Sequence, residues 1–405
     1  MTGRGPAPQD LVERALDISA ADECIVIADA VTEANLRWAN NSLTTNGVAR
    51  SRQVTVISVV GSSVGVVTEE GVTEDSLAGI VEAAEQTARA APEAEDRAPI
   101  IGAEASRGDW GAAPAETSIG VFSRFAPDLG DAFERASRSD QLLFGYAEHQ
   151  MRSTYIGSSR GLRSRFDQPT AHAEVNAKSA DHARSAWAGV PSFDFTDIDM
   201  AALTSELARQ LDWASRRFEL PAGRYETILP PSAVADLMIP LYWSAGARDA
   251  NEGRTVFSRP GGGTRVGDRL SDLTLDLRSD PYARPIQCAP FAEARSSSSA
   301  ASVFDNGSPL APTSWISGGV LAALVQTRHS AQVTELPFTP YVDNLILDGP
   351  ATGRGTPADL VAGTERGLLL TCLWYIREVD PQTQLLTGLT RDGVYLVESG
   401  EVVGA

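Results

Sequence analysis

Few residues in this chain could do chemistry, and most of them stand in patterns with a plainer use. The four histidines are His149, His172, His182 and His329. A zinc helix needs two imidazoles one helical turn apart with a carboxylate beside them, and no pair here has that spacing. His172 and His182, with Glu174 and Asp181, lie in "HAEVNAKSADH", which reads as a strand. At ~3.3 Å per residue a strand keeps such groups apart, so ordinary sheet or surface positions are expected for both. "GSSVG" at 61–65 fits the nucleophile-elbow pattern around Ser63, but an elbow must pass directly into a helix. Here "VVTEEG" continues as strand and turn, so a hairpin turn is expected. "PGGGTRVG" at 260–267 has neither G-x-G-x-x-G spacing nor a following Lys-Ser/Thr; it reads as a mobile loop bordering a cleft. Cys372 sits in "LLLTCLWYI", where burial raises a thiol's pKa and leaves it inert. Glu69 and Glu70 stand at a turn and read as solvated.

One stretch holds out longer as a site. "PLYWSAGARDANEG", Pro240 to Gly253, reads as a short helix running into an acidic, polar turn, a place for a metal or a general base. Leu237, Met238, Leu241, Tyr242 and Ala245 fall on one helical face, and Pro240 should kink or delay the helix. Yet the stretch has no histidine or cysteine, and no histidine occurs between His182 and His329.

The elements that would position these residues have an α+β order. "QDLVERALDIS" predicts a helix and "ECIVIA" a buried strand; "NLRWANN" and "QVTVISVV" follow as strands. "VTEDSLAGIVEAAEQTARAAPE" places Leu77, Ile80, Val81 and Ala84 on one helical face, with Thr73 as N-cap and Pro92 beyond the end. Residues 93–117 read as a surface connection. "MRSTYIGSSRGLRSRF" is strand, turn and strand, and a helix follows between Asp197 and Phe218. "LPAGRYETILPPSAV" marks a boundary, giving an N-terminal unit of 1–220 with helices on a mixed sheet. The unit of 221–405 is mainly β with a few helices: "LSDLTLDL", "GLLLTCLWYI", "QLLTGLT" and "GVYLVESGEVVG" are short strands, with turns at Asp380-Pro381 and Asp392-Gly393.

Composition bounds the function. The chain has 405 residues, 42% of them hydrophobic, and a net charge of −19 from 53 acidic and 34 basic residues. Such a charge argues against a general affinity for nucleic acid. No run approaches the ~20 apolar residues of a membrane span, and nothing at the N-terminus has the length of a signal-peptide core. Cys24, Cys288 and Cys372 read as reduced core thiols, and a cytoplasmic location is expected.

In order and spacing the segments resemble the TldD/PmbA (TldE) family. The resemblance is carried by "NLRWANNSLTTNG", "EDSLAGIVEAAEQTARAAPE", "YIGSSRGLRSRF", "LTLDLRSDP", "SVFDNGSPLAPTSWISGGVLAALVQTRHSA" and "PYVDNLILDGPATG", and by the run from "RGLLLTCLWYI" to "VESGEVVG". It implies a zinc metallopeptidase system of two related subunits. The TldD type carries zinc on an H-E-x-x-x-H helix with a cysteine ligand near its C-terminus. The TldE type lacks that motif and pairs with it around an enclosed cavity that cleaves peptides. The zinc helix precedes a segment like "GRTVFS", so its slot here is Met238 to Gly253, without histidine. The chain is therefore similar to the TldE type, with no catalytic residue and no metal or other cofactor of its own. Zinc is expected in a TldD-like partner, and an extended peptide is the expected substrate. Met238, Tyr242, Trp243, Arg254 and Phe257 are the candidate cavity or interface residues. Family members continue beyond the last strand, so an end truncated at Ala405, with an unpaired sheet edge, is also expected. An autonomous metallopeptidase with an unrecognised site and a non-proteolytic peptide-binding or assembly protein are the rival readings.

Overall fold

The structure, a computed structural model, describes residues 6–350, 355–390 and 392–405. Its N-terminal part is built on six strands, β1 (Glu23–Ala39), β2 (Ser42–Val60), β3 (Ser63–Glu70), β4 (Gln141–Ser158), β5 (Arg163–Ser179) and β6 (Ser185–Ser192). They lie in the order β3-β2-β1-β4-β5-β6, and every pairing is antiparallel. The mixed sheet expected from sequence is thus corrected. Four connections are hairpins between neighbouring strands, and the long excursion after β3 carries the chain past β2 and β1 to lay β4 antiparallel beside β1, so no parallel pairing arises. "NLRWA" is no separate strand either: it is the second half of the long β1.

Alternation along the strands decides what covers each face. Cys24, Val26 and Ala28 point to one face, against Leu11, Val12 and Ala15 of α1 (Pro8–Ile18) and Leu77, Val81 and Ala84 of α2 (Glu74–Ala90). α2 begins at the expected cap, where Thr73 and Ser76 form a reciprocal capping box. Further along the same face Ala34, Leu36 and Trp38 pack on α3 (Phe125–Arg138) and α4 (Met200–Trp213). Ile25, Ile27, Ile57, Val59 and Ile156 point the other way, onto Phe291, Val303 and Phe304 of the C-terminal part. Both faces of "ECIVIA" are therefore covered, which is why it reads as an unbroken apolar run. Residues 93–117, expected as a surface connection, contribute Ile100 and Ala105 to this second core.

The C-terminal part carries β7 (Thr227–Ile228), α5 (Pro231–Trp243), α6 (Ala247–Asn251), β8 (Asp276–Ser279), β9 (Thr313–Ser317) and β10 (Val320–Leu321). These are followed by α7 (Arg328–Thr334), β11 (Ile346–Asp348), α8 (Pro357–Ala362), β12 (Arg366–Leu370), β13 (Trp374–Asp380), β14 (Leu385–Leu389), β15 (Val394–Glu398) and β16 (Glu401–Gly404). They form two four-stranded sheets, β10-β9-β8-β11 and β16-β15-β12-β7, and a β13-β14 hairpin. The parallel pairing lies here, between β12 and β7. The whole is an α+β fold, as expected. The last sheet edge is not bare: Ala405 N donates to Arg216 O and Phe218 N to Ala405 O, both at 2.8 Å. Among the described residues no helix is long and apolar enough to cross a membrane.

Candidate functional site

The slot of Met238 to Gly253 spans the end of α5, a tight link and α6. Pro240 sits inside α5 without breaking it. Tyr242 is buried in the C-terminal core with Phe257, Leu277 and Trp315. Its hydroxyl donates to Val342 O at 3.1 Å and accepts from Val342 N at 3.0 Å, and burial pushes it well above the usual phenol range. Ser244 Oγ lies 2.9 Å from Pro240 O and 2.6 Å from Glu378 Oε1. Asp249 accepts from Arg254 and, at 2.5 Å, from Ser299 Oγ. Glu252 pairs with Arg248 at 3.0 Å and Arg254 at 2.7 Å.

A catalytic zinc wants three nitrogen, sulfur or carboxylate ligands converging on one point, with a fourth position open. In this slot the hydroxyls serve the backbone and Glu378, both carboxylates serve arginines, and imidazole is lacking. The residues present do not fit zinc. Among the described residues no group of three His, Cys, Asp or Glu side chains converges as a metal site anywhere.

The five candidate residues divide. Tyr242 and Phe257 are core, and Met238 packs half-buried against them. Arg254 caps the turn through Asp249 and Glu252. Trp243 is the apolar one that stands out, 70% exposed. α5 packs against β13, and the surface there also exposes Ile239, Tyr375, Val379, Leu385 and Leu389.

A cleft lies elsewhere, between the sheet and the C-terminal loops. Its volume is about 300 Å³, and Arg152, Gln168, Glu293, Asp343, Tyr341 and Phe291 are among its walls. Beneath it Arg295 clamps the two parts together: one guanidinium nitrogen donates to Gln53 Oε1 at 2.8 Å and Thr55 Oγ1 at 3.1 Å. The other reaches Asp29 at 2.5 Å and Glu293 at 2.6 Å. The Glu293 side chain keeps 24% of its surface; burial raises its carboxyl above the ordinary value, with the Arg295 charge opposing. Burial also raises Asp343, with Arg152 opposing. The cleft thus offers an arginine between two carboxylates that ionise less readily than usual. Such a wall can hold polar main-chain groups, and two hydroxyls on it, Thr154 and Ser302, donate to Asp29 and Asp96 at 2.7 Å.

None of the five candidate residues lies on this cleft's wall. The cleft was not legible in the sequence because its members come from five separated segments, and only the tertiary fold juxtaposes them. The other sequence candidates occupy ordinary structural positions. His172 Nε2 meets Tyr146 Oη at 3.1 Å on β5, and His182 stands in the turn before β6. His149 is buried against Phe193 O, and burial lowers its pKa. Burial pushes the Cys24 and Cys288 thiols up to about 11, and Cys372 is buried as well. Ser63 is in a hairpin, its hydroxyl bonded to Ala91 O. The glycine loop closes as a turn, with Arg259 N donating to Gly263 O.

Residues 222–405 match the family model described as the PmbA/TldA metallopeptidase C-terminal domain. The fold as a whole is that of TldE from Thermococcus kodakarensis, with a TM-score of 0.75 at 15% identity over 98% of this chain and 89% of that one. A candidate modulator of DNA gyrase from Bacteroides thetaiotaomicron aligns at 0.72 and 14% identity, over 98% and 87% of the two chains. A second candidate gyrase modulator, from Thermotoga maritima, aligns at 0.71 and 16% identity, over 98% and 89%. No curated protein matches in sequence. Fold and C-terminal domain together define a metallopeptidase-related α+β protein. Residues 222–405 thus carry the C-terminal domain of the PmbA/TldA metallopeptidase family, and the chain as a whole shares its fold with TldE.

Proposed function

We propose that this chain is a TldE-like, non-catalytic subunit of a two-subunit zinc metallopeptidase that degrades or processes unfolded peptides. The observation that carries the reading is the slot at 238–253, where Tyr242, Ser244, Arg248, Asp249 and Glu252 are committed to the fold and no residue is an imidazole. The chemistry, zinc-activated water attacking a peptide bond, would belong to a TldD-like partner. This chain would complete the enclosed cavity and hold extended peptide through main-chain hydrogen bonds.

The exposed apolar side chains on α5 and the β13-β14 hairpin, Trp243 among them, support pairing, since large apolar groups on a surface mark contacts with a partner. The working location would be the cytoplasm. Two measurements on the purified chain test the proposal. Metal analysis should find no stoichiometric zinc, and a tagged chain should capture a TldD-type subunit. Zinc at one per chain would favour an autonomous metallopeptidase; failure to capture that subunit would favour a protein with no proteolytic role.

A further inference from the structure

The first half of β2 is an open sheet edge. β3 pairs with β2 only from Gln53 to Val60, and beyond that ladder Gly71 N donates to Arg52 O at 2.9 Å. Pairing with β1 continues without a shift from Val59 to Thr45. Backbone alternation therefore turns the N–H and C=O of Arg50, Val48 and Asn46 the same way as those of Arg52, away from β1. Among the described residues no hydrogen bond reaches them from that side. The side chains are open as well: over residues 42–51 all but Gly47 are exposed, and Val48 keeps 38% of its surface.

A free strand edge is a template for another chain, and folded proteins guard it with charge, proline or a cover. The outermost strands of the same sheet carry such guards. β3 ends in Glu69 and Glu70 and is bridged to Glu93 at Ser63, and β6 holds Pro191. Residues 42–51 include no Lys, Pro, Asp or Glu, and residues 34–68 include no acidic residue at all. With a net charge of −19, two copies of this chain repel wherever acidic surfaces meet; at this edge they do not.

The segment is also its own complement. With Val48 set antiparallel against the second copy's Val48, Asn46 falls opposite Arg50, and each free N–H and C=O of these residues gains a partner. The exposed valine meets a β-branched side chain. Arg50 already pairs with Glu116 at 3.4 Å, so no like charges oppose each other. On the other face Gly47 lies opposite Ala49. Gly47 answers no crowding in its own chain, since nothing lies within 4 Å of an added Cβ; a glycine inside a strand can mark the approach of another backbone.

We propose that this edge pairs with the same edge of a second copy about a two-fold axis at Val48, making one sheet continuous across two chains. The inference stands apart from the subunit reading, because its test uses this chain alone and no hydrolysis.

Analytical ultracentrifugation of the full chain should show a concentration-dependent dimer. Val48→Asp and Val48→Lys each place like charges against each other at the axis and should weaken the dimer by about tenfold, with a native circular dichroism spectrum. Mixing the two variants should restore it. Val48→Cys should form an interchain disulfide on mild oxidation, since Cα atoms of such a pair stand ~5.5 Å apart and the native cysteines are buried. Ser51→Cys, with its copy ~20 Å away along the strands, should not. A chain that stays monomeric at every concentration overturns the proposal and leaves the edge to a different occupant. So does a dimer indifferent to both charges at Val48, or cross-linking of Ser51→Cys as readily as Val48→Cys.

Discussion

At the scale of single residues, motifs that look chemical are explained by geometry. "GSSVG" needs both of its end glycines. Gly61 has φ +60 in the hairpin, and a Cβ on Gly65 would come within 2.2 Å of Ala84 O and 2.3 Å of Ala88 N. The pattern thus records a turn and the close approach of α2 to β3. Tyr242 is a packing residue with a polar end: Tyr242→Phe removes its bonds to Val342 and should cost about 1–3 kcal/mol in urea unfolding. Phe257→Ala should cost about 3–5 kcal/mol by opening a cavity in the same core. The cleft has a pH signature. A carboxyl raised in the folded state contributes stability below its unfolded pKa, and that contribution is lost as pH rises through the folded value. Asp343→Asn should therefore melt higher than the wild type at pH 7, and the difference should close as pH falls toward ~4. A lower melting temperature for Asn at pH 7 would contradict the assignment of Asp343 as a burial-raised group.

At the scale of elements, sequence periodicity was informative wherever local signals set the structure. The Thr73 cap, the Leu77–Ala84 face and the hairpin after β4 were legible because capping, helical spacing and turn residues act within a few positions. The all-antiparallel pairing was not, because strand neighbours depend on connections of many residues, and "NLRWA" could not be joined to "ECIVIA" by pattern alone. The assignment of Met238, Tyr242 and Phe257 to a cavity or interface rested on resemblance rather than on burial, which only the packed core reveals. α1 offers a further test. Glu13 accepts from Arg163 at 2.6 and 2.5 Å, and that bond holds its carboxyl below the usual range, against desolvation. A lowered carboxyl contributes above its unfolded pKa and is lost as pH falls through the folded value. Glu13→Gln should loosen α1, seen as faster amide exchange at neutral pH, with the difference fading in acid.

At the scale of the molecule, the sheet is the frame. One face takes four helices, and half of the other takes the C-terminal loops, fastened by Arg295 across Asp29, Gln53 and Thr55. Removing one side of so buried a pair is costly, so Arg295→Met should destabilise the chain by about 3–5 kcal/mol and expose the apolar residues under the cleft. The surface of α5 and the β13-β14 hairpin would then be the side turned toward a second subunit. Trp243→Asp and Leu389→Asp, both at exposed positions, should leave the monomer folded and weaken capture of a TldD-type partner. The central claim is that this chain supports cleavage without performing it. Peptide hydrolysis should be measured for the chain alone, for a TldD-type partner alone, and for the two together, each with and without chelator. The account predicts no cleavage by the chain alone and chelator-sensitive cleavage by the pair, exceeding that of the partner by itself. Chelator-sensitive cleavage by the purified chain alone would contradict it.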